Sequence, residues 1–214
     1  MPKTLLVTLA VLAVAVGTAA TWASAGARRP TAVTPTYSMA GMKGMKMQAT
    51  SPALATALSK ARISTAKYVT NLNAAKAAGY SIITKMIPDM GYHFLNGKIT
   101  GFDPAKPPIL VYEKTGTSGT SYQLAALEWV FTAKPKTAPL PGAKYGAFPA
   151  ACHYADGTFV AATSQDACAT TAPGSGAKFT FWHPNLITMH VWLWYPNPNG
   201  LYASMNPLVH PFNG

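Results

Sequence analysis

The chain changes its residue pattern at Gly79, and this change limits the folds that it can adopt. From Ala53 to Ala78 the sequence is rich in Ala, Leu and Lys, and apolar residues recur at helical spacing after the helix-starting pair Ser51-Pro52. Beyond Gly79, short aromatic and β-branched runs alternate with Gly, Pro and Asn, a pattern typical of strands joined by turns. The sequence therefore predicts an α+β fold, with one long N-terminal helix packed on a mostly antiparallel, barrel-like sheet.

Seven runs in the second part of the chain have the composition of strands. They are Tyr80–Thr84, Tyr92–Asn96, Ile109–Glu113, Tyr122–Phe131, Thr158–Ala161, Phe179–Trp182 and Thr188–Tyr195. Together with the helix they predict a single globular domain over residues 52–214.

The amino terminus has the pattern of an export signal. Lys3 precedes an apolar run from Leu5 to Val16, and Ala23-Ser24-Ala25 fits a small-x-small cleavage site. Residues 1–25 are therefore predicted to be a cleaved signal peptide, which places the mature protein outside the cell or in the cell envelope. The uncharged stretch is also long enough to cross a bilayer, so an uncleaved N-terminal anchor is the alternative.

Residues 26–51 are predicted to be a flexible linker rich in Met and Pro, because nothing in them can build a core. This linker contains a run of four methionines, and a flexible segment can wrap three thioethers round one ion. The methionines are Met39, Met42, Met45 and Met47. Thioethers are soft ligands that prefer Cu(I), so a soft-metal site is one interpretation of the run. A linker without any ligand is the other, and the lysines within the run favour it.

The composition excludes several function classes. Lys and Arg number 17 against 6 Asp and Glu, and the formal net charge is +11. The lysines are scattered and the chain has an export signal, so we expect no nucleic-acid partner and consider an anionic envelope surface instead. The sequence contains no phosphate-binding loop, no dinucleotide fingerprint and no Gly-x-Ser-x-Gly motif.

Cys152 and Cys168 are the two cysteines of the chain. An even count in an exported protein predicts a disulfide between them. A metal site that uses both thiols is the alternative, but the chain lacks the Cys-x-x-Cys spacing of such sites.

Three strands each place one potential ligand among apolar neighbours. Glu128 lies within Leu124–Phe131, His93 follows Met90-Gly91-Tyr92, and His190 precedes Val191-Trp192. Glutamate is rarely buried unless it is paired or bound. Two imidazoles and one carboxylate suit a divalent transition metal such as Zn or Cu, so these residues form a candidate metal or small-ligand site.

Other interpretations of the same residues stay open. His183 is a further candidate ligand, whereas His153, beside a cysteine, is expected at the surface. Glu128 could act as the general base of a secreted enzyme. A buried pair of Glu128 with His93 or a lysine would need no metal, and the protein would then be a structural or envelope-interaction module.

Several motifs recur in a known family. They are Ala77-Ala78-Gly79-Tyr80, Met90-Gly91-Tyr92-His93, Ile109–Glu113, Leu127-Glu128-Trp129, Met189–Trp194, Asn197–Leu201 and Asn206-Pro207. On these motifs, the chain from Lys60 to its end resembles a family of uncharacterised secreted bacterial proteins. The resemblance implies one folded domain and draws attention to His93, Glu128 and His190, but it implies no reaction. The methionine run lies outside it.

Overall fold

The computed structural model describes residues 51–115 and 121–209. The predicted signal peptide, the linker and the methionine run lie outside the described residues. In the described part of the chain, no helix combines the length and the apolar character needed to cross a membrane. The fold there is mixed α+β, with mostly antiparallel strands and a curled, half-barrel sheet, as predicted in outline.

The helical segment is interrupted, which corrects the prediction of one long helix over Ala53–Ala78. Helix α1 is Pro52–Thr65, a 3₁₀ turn Ala66–Tyr68 continues it, and α2 is Leu72–Ala77. The break follows from contacts with the sheet, because the Val69 carbonyl accepts a hydrogen bond from the Leu124 amide at 2.7 Å. A carbonyl bound to a strand is not available to a continuing helix. The side chain of Asn71 then caps α2.

Nine strands form two antiparallel sheets among the described residues. They are β1 Ser81–Ile87, β2 Gly91–Leu95, β3 Ile109–Thr115, β4 Ser121–Phe131, β5 Gly146–Phe148, β6 Ala151–Tyr154, β7 Phe159–Ala161, β8 Phe179–His183 and β9 Leu186–Val191. The large sheet has the order β1-β2-β3-β4-β9-β5, and the small sheet has the order β7-β6-β8. The strands β5 and β6 were not predicted.

The two faces of the large sheet have different partners. On β4, Leu127 and Trp129 pack with the helices in the main apolar cluster. Alternate residues Ala126 and Val130 belong to a second cluster on the opposite face. Glu128 falls between them by the same alternation, so its side chain lies on the face away from the helices.

The small sheet packs beside the outer strand β1. The Lys85 amide donates a 2.6 Å hydrogen bond to the Gly157 carbonyl, and His153 Nδ1 lies 2.7 Å from the Ile83 carbonyl oxygen. Two residues separate β5 from β6, and two separate β8 from β9. The small sheet therefore continues the curl of the large sheet from β5 towards β1. The helix-free face is thereby partly enclosed.

The predicted disulfide is confirmed: Cys152 and Cys168 are bonded. It joins β6 to the segment after β7, so it holds the small sheet together. The prediction for the last strand is wrong at its end, because β9 stops at Val191 rather than at Tyr195. There the amides of Trp194 and Tyr195 both turn to the Ala125 carbonyl. As a result, the Trp194 ring packs near α1, on the face opposite His190.

Candidate metal centre

Three strands of the large sheet, β2, β4 and β9, bring the predicted ligands together. Glu128 on β4 is the direct register partner of His190 on β9. Strand β3 separates β4 from β2, and Ile109 of β3 pairs with both Glu128 and Leu95. His93, two residues before Leu95, therefore lies diagonally across the sheet from Glu128, and period-two alternation keeps it on the same face.

The three side chains converge in the interior. His93 Nε2 lies 3.6 Å from Glu128 Oε2, and His190 Nε2 lies 3.5 Å from Glu128 Oε1. One ligand atom from each residue fits in a group whose members are all within 4.8 Å of one another. Each residue is about 4% exposed, so the cluster is buried.

Threonines hold two members of the cluster in place. Thr84 Oγ1 accepts a 3.1 Å hydrogen bond from the His93 backbone amide and lies 2.8 Å from His93 Nδ1. The Thr188 hydroxyl donates a hydrogen bond to the Glu128 carboxylate. Partners of this kind fix the orientation of a ring or carboxylate, as the groups around metal ligands commonly do. In contrast, His190 Nε2 is buried with no hydrogen-bond partner in the described structure.

Burial suppresses charge throughout the cluster. Desolvation raises the pKa of Glu128 to about 8, although the Thr188 hydrogen bond opposes the shift. Desolvation, with the nearby His190 adding to it, lowers the pKa of His93 to about 3, and desolvation lowers that of His190 to about 4. In the metal-free protein at pH 7, both imidazoles are therefore neutral and the carboxyl group is mostly protonated.

A partly open cavity of about 100 Å³ lies against the cluster. His93, Glu128, His190, Thr84 and Thr188 supply its polar wall. The rest of its wall is apolar and consists of Ile83, Ile87, Met90, Ile109, Ala147 and Phe148. A cavity of this size has room for a few water molecules or a ligand of a few atoms next to the three ligand atoms.

Among the described residues, two buried histidines lie outside this cluster. His183 does not join the triad: it lies in the small sheet, with Nδ1 2.6 Å from the Pro184 carbonyl oxygen. His153 is fully buried, so the expectation that it lies at the surface is wrong. Its strand, β6, is only four residues long and is buried at every position, so it gives no alternating pattern from which burial could be predicted.

A further buried carboxylate was not predicted from the sequence. Glu113, at the end of the predicted third strand, is 1% exposed, and its Oε2 atom has no hydrogen-bond partner among the described residues. Desolvation raises its pKa to about 7. The apolar run Ile109–Tyr112 directly before it was a usable signal, because such a run marks a strand buried on both faces.

Comparisons with known proteins returned no match to a family model, to a curated protein or to a solved structure. What the fold and the site define is a class of arrangement: an α+β protein with a curled antiparallel sheet and a buried cluster of two histidines and one glutamate. That cluster can hold a metal ion.

Proposed function

We propose that this protein binds a divalent transition-metal ion, Zn²⁺ or Cu²⁺, through His93, Glu128 and His190. The observation that carries the proposal is the convergence of these three buried side chains from three strands, with His190 Nε2 left without a partner. A bare imidazole lone pair in the interior costs free energy unless a donor or a cation meets it. A metal ion at the centre of the cluster supplies that partner.

The distances favour a metal over a structural ion pair. The nitrogen–oxygen separations of 3.5 and 3.6 Å exceed those of good hydrogen bonds, which are about 2.7–3.2 Å. They approach the edge of a tetrahedron around an ion with ligand bonds of about 2.0–2.1 Å, which is about 3.4 Å. In addition, both rings are neutral at pH 7, so they provide no positive charge to pair with Glu128.

The donor set also indicates how the ion would be held. Two neutral imidazoles donate lone pairs, and an ionised Glu128 offsets one of the two positive charges. Because the pKa of Glu128 is raised to about 8, binding at pH 7 releases its proton to solvent. Three protein ligands leave further positions of the ion facing the cavity, where water or a small ligand can bind.

The protein is also proposed to work outside the cytoplasm. The amino-terminal signal pattern and the disulfide between Cys152 and Cys168 support this location, because disulfides persist in oxidising compartments. We likewise propose membership of the secreted bacterial family that the sequence motifs resemble. At such a location the protein would bind metal ions from the cell envelope or the medium, and cytosolic metal carriers would not supply them.

Metal binding is tested by titrating the metal-free full chain with Zn²⁺ and Cu²⁺ in isothermal calorimetry. We expect one tight site that is lost or weakened more than about 100-fold in Glu128→Gln, since a lost ligand costs more than a lost outer-shell partner. The matched control is Glu113→Gln, which removes another buried carboxylate outside the cluster. Unchanged affinity in Glu128→Gln, or equal loss in both variants, would contradict the proposal.

A second candidate function is metal-independent hydrolysis with Glu128 as general base. The observations that favour it are the cavity beside Glu128 and a pKa of about 8, close to the working range of a general base. The test is hydrolysis of p-nitrophenyl acetate by metal-free protein. A rate that rises with pH through about 8 and disappears in Glu128→Gln but not in Glu113→Gln would support it, and a flat profile would exclude it.

A further inference from the structure

A second pair of imidazoles lies in the small sheet, outside the three-residue cluster. His153 on β6 and His183 on β8 belong to adjacent strands, and their ring centroids are 5.0 Å apart. His153 is fully buried and His183 is 8% exposed. No function described so far uses either ring.

Hydrogen bonds fix the same tautomer in both rings. His153 Nδ1 lies 2.7 Å from the Ile83 carbonyl oxygen, and His183 Nδ1 lies 2.6 Å from the Pro184 carbonyl oxygen. A carbonyl oxygen only accepts, so each Nδ1 carries the proton and donates it. Each Nε2 atom therefore keeps a free lone pair, as in metal-binding histidines whose other nitrogen donates to a backbone carbonyl.

Both Nε2 atoms are buried and have no hydrogen-bond partner in the described structure. Two orphaned acceptors on rings whose centroids are 5.0 Å apart are near enough to share one partner, which must be a hydrogen-bond donor or a cation. A lone orphan could be a local packing defect. Two adjacent rings with the same tautomer, the same free nitrogen and similar burial form a candidate binding site.

The surroundings of the pair select the charge of that partner. Aromatic rings flank it: Phe181 stacks on His153 at 4.6 Å, and Phe148 lies 4.7 Å from His183. Phe159 adds a third ring 6.0 Å from His153. Neither histidine forms an ion pair with a carboxylate among the described residues. The free-energy cost of burying an ion rises with the square of its charge. A monovalent ion is therefore favoured over a divalent one at this buried position.

We propose that His153 and His183 bind Cu(I). Cu(I) is monovalent, accepts imidazole nitrogen and needs fewer ligands than Zn²⁺, which requires about four. The site adjoins the cluster of His93, Glu128 and His190, because Phe148 contacts the pair and lines the cavity.

The proposal does not depend on metal binding by the three-residue cluster, and its test separates the two. The full-length, disulfide-bonded protein is titrated with Cu(I) under anaerobic conditions, and the histidine side chains are followed by ¹H–¹⁵N NMR. We expect the Nε2 resonances of His153 and His183 to shift together, at one equivalent of copper. Because each ring is observed by itself, copper held by methionines or by the cluster does not count towards this result.

Variants then test the ligands one at a time. Asn in place of His keeps a donor at the position of Nδ1 and removes Nε2, so His153→Asn and His183→Asn preserve the hydrogen bonds to the carbonyls. Each should weaken Cu(I) binding at this pair more than about 100-fold and abolish the shift of the remaining ring. Phe181→Leu is the matched control, since it removes a stacked ring but no ligand.

Two results would overturn the proposal. The first is that Cu(I) leaves both Nε2 resonances of the wild-type protein unchanged, which needs no variant to fold. The second is that His153→Asn and His183→Asn, shown to be folded by circular dichroism, bind Cu(I) at this pair as tightly as Phe181→Leu. A shared water molecule would then be the partner of the two rings.

Discussion

The buried carboxyl group of Glu128 should make the free energy of unfolding depend strongly on pH. Burial raises its pKa from 4.5 to about 8, so the folded protein holds a proton that the unfolded chain has already lost above pH 4.5. Each pKa unit corresponds to about 1.4 kcal/mol. The stabilising effect of this proton is complete below pH 4.5 and is lost as pH rises to 8. At pH 7, the loss is about 3 kcal/mol.

Replacement of Glu128 by Gln removes this loss, because the amide is neutral at every pH. Metal-free Glu128→Gln should therefore be more stable than the wild-type protein by about 3 kcal/mol at pH 7, and by less than about 1 kcal/mol at pH 5. Saturating Zn²⁺ removes most of this advantage, because it stabilises the wild-type protein more than the variant. At about 1,000 times its dissociation constant, a ligand stabilises by about 4 kcal/mol, and only the wild-type protein retains the carboxylate ligand.

The assay is urea unfolding followed by tryptophan fluorescence at pH 5, 7 and 8, with EDTA or with Zn²⁺ and with the disulfide intact. The control is Glu113→Gln. The pKa of Glu113 is raised to about 7, so its variant should also gain stability at alkaline pH. Unlike Glu128→Gln, it should gain as much from Zn²⁺ as the wild-type protein does.

At acid pH, the free energy of unfolding depends on the histidines of the cluster. The pKa values of His93 and His190 are lowered from 6.5 to about 3 and about 4, so the unfolded chain takes up protons first as pH falls. Their stabilising effect is complete above pH 6.5 and is lost below it. Together with the carboxyl group, they place the maximum stability of the metal-free protein near pH 6.5.

Two outcomes would contradict these expectations. If metal-free Glu128→Gln is less stable than the wild-type protein at pH 8, the ionised carboxylate has a stabilising partner in the folded state. The cluster would then be a structural charge pair, and the case for a metal there would lose its electrostatic support. Equal stabilisation of both proteins by Zn²⁺ would remove Glu128 from the ligand set.

Three further predictions concern the surroundings of the site and the frame that holds it. Thr84→Val removes the partner of the histidine on β2 and should weaken Zn²⁺ binding about 10–100-fold in the same calorimetric titration. Reduction of the Cys152–Cys168 bond should lower the free energy of unfolding by about 3 kcal/mol in urea, for a loop of this length. Gly91→Ala should destabilise the protein by more than about 2 kcal/mol, because Gly91 has a φ of +107° and an added Cβ meets the backbone of β3. Thermal unfolding measures this loss. The control is Gly97→Ala, which has open space around the added Cβ and should be nearly neutral.

Local patterns were sufficient for a large part of the fold. The pair Ser51-Pro52 predicts the start of α1, and alternation in Leu124–Phe131 places Glu128 on the face opposite Leu127 and Trp129, as observed. The two cysteines predict their own bond. These features depend on residues close in sequence, or on a count that allows only one pairing, so no knowledge of the tertiary structure is needed.

Other features depend on contacts that the local sequence does not encode. The helix breaks after the 3₁₀ turn because its backbone carbonyls bind residues of the sheet, Tyr68 to the Tyr112 hydroxyl and Val69 to the Leu124 amide. The burial of His153 depends on β6 packing against β1. Nothing within four residues of either position predicts the distant partner.

For the candidate site, the order of residues was enough to assign the residue types to strands: one carboxylate and two imidazoles, each among apolar neighbours. It did not determine that they meet. Strand order decides that, because β4 pairs with β9 directly and with β2 only across β3. The tertiary structure also decided which other buried groups stay apart from them, notably Glu113 and His183. The physical reason is that pairing between distant strands sets which side chains share a face and a cavity, and this pairing depends on the packing of the whole sheet.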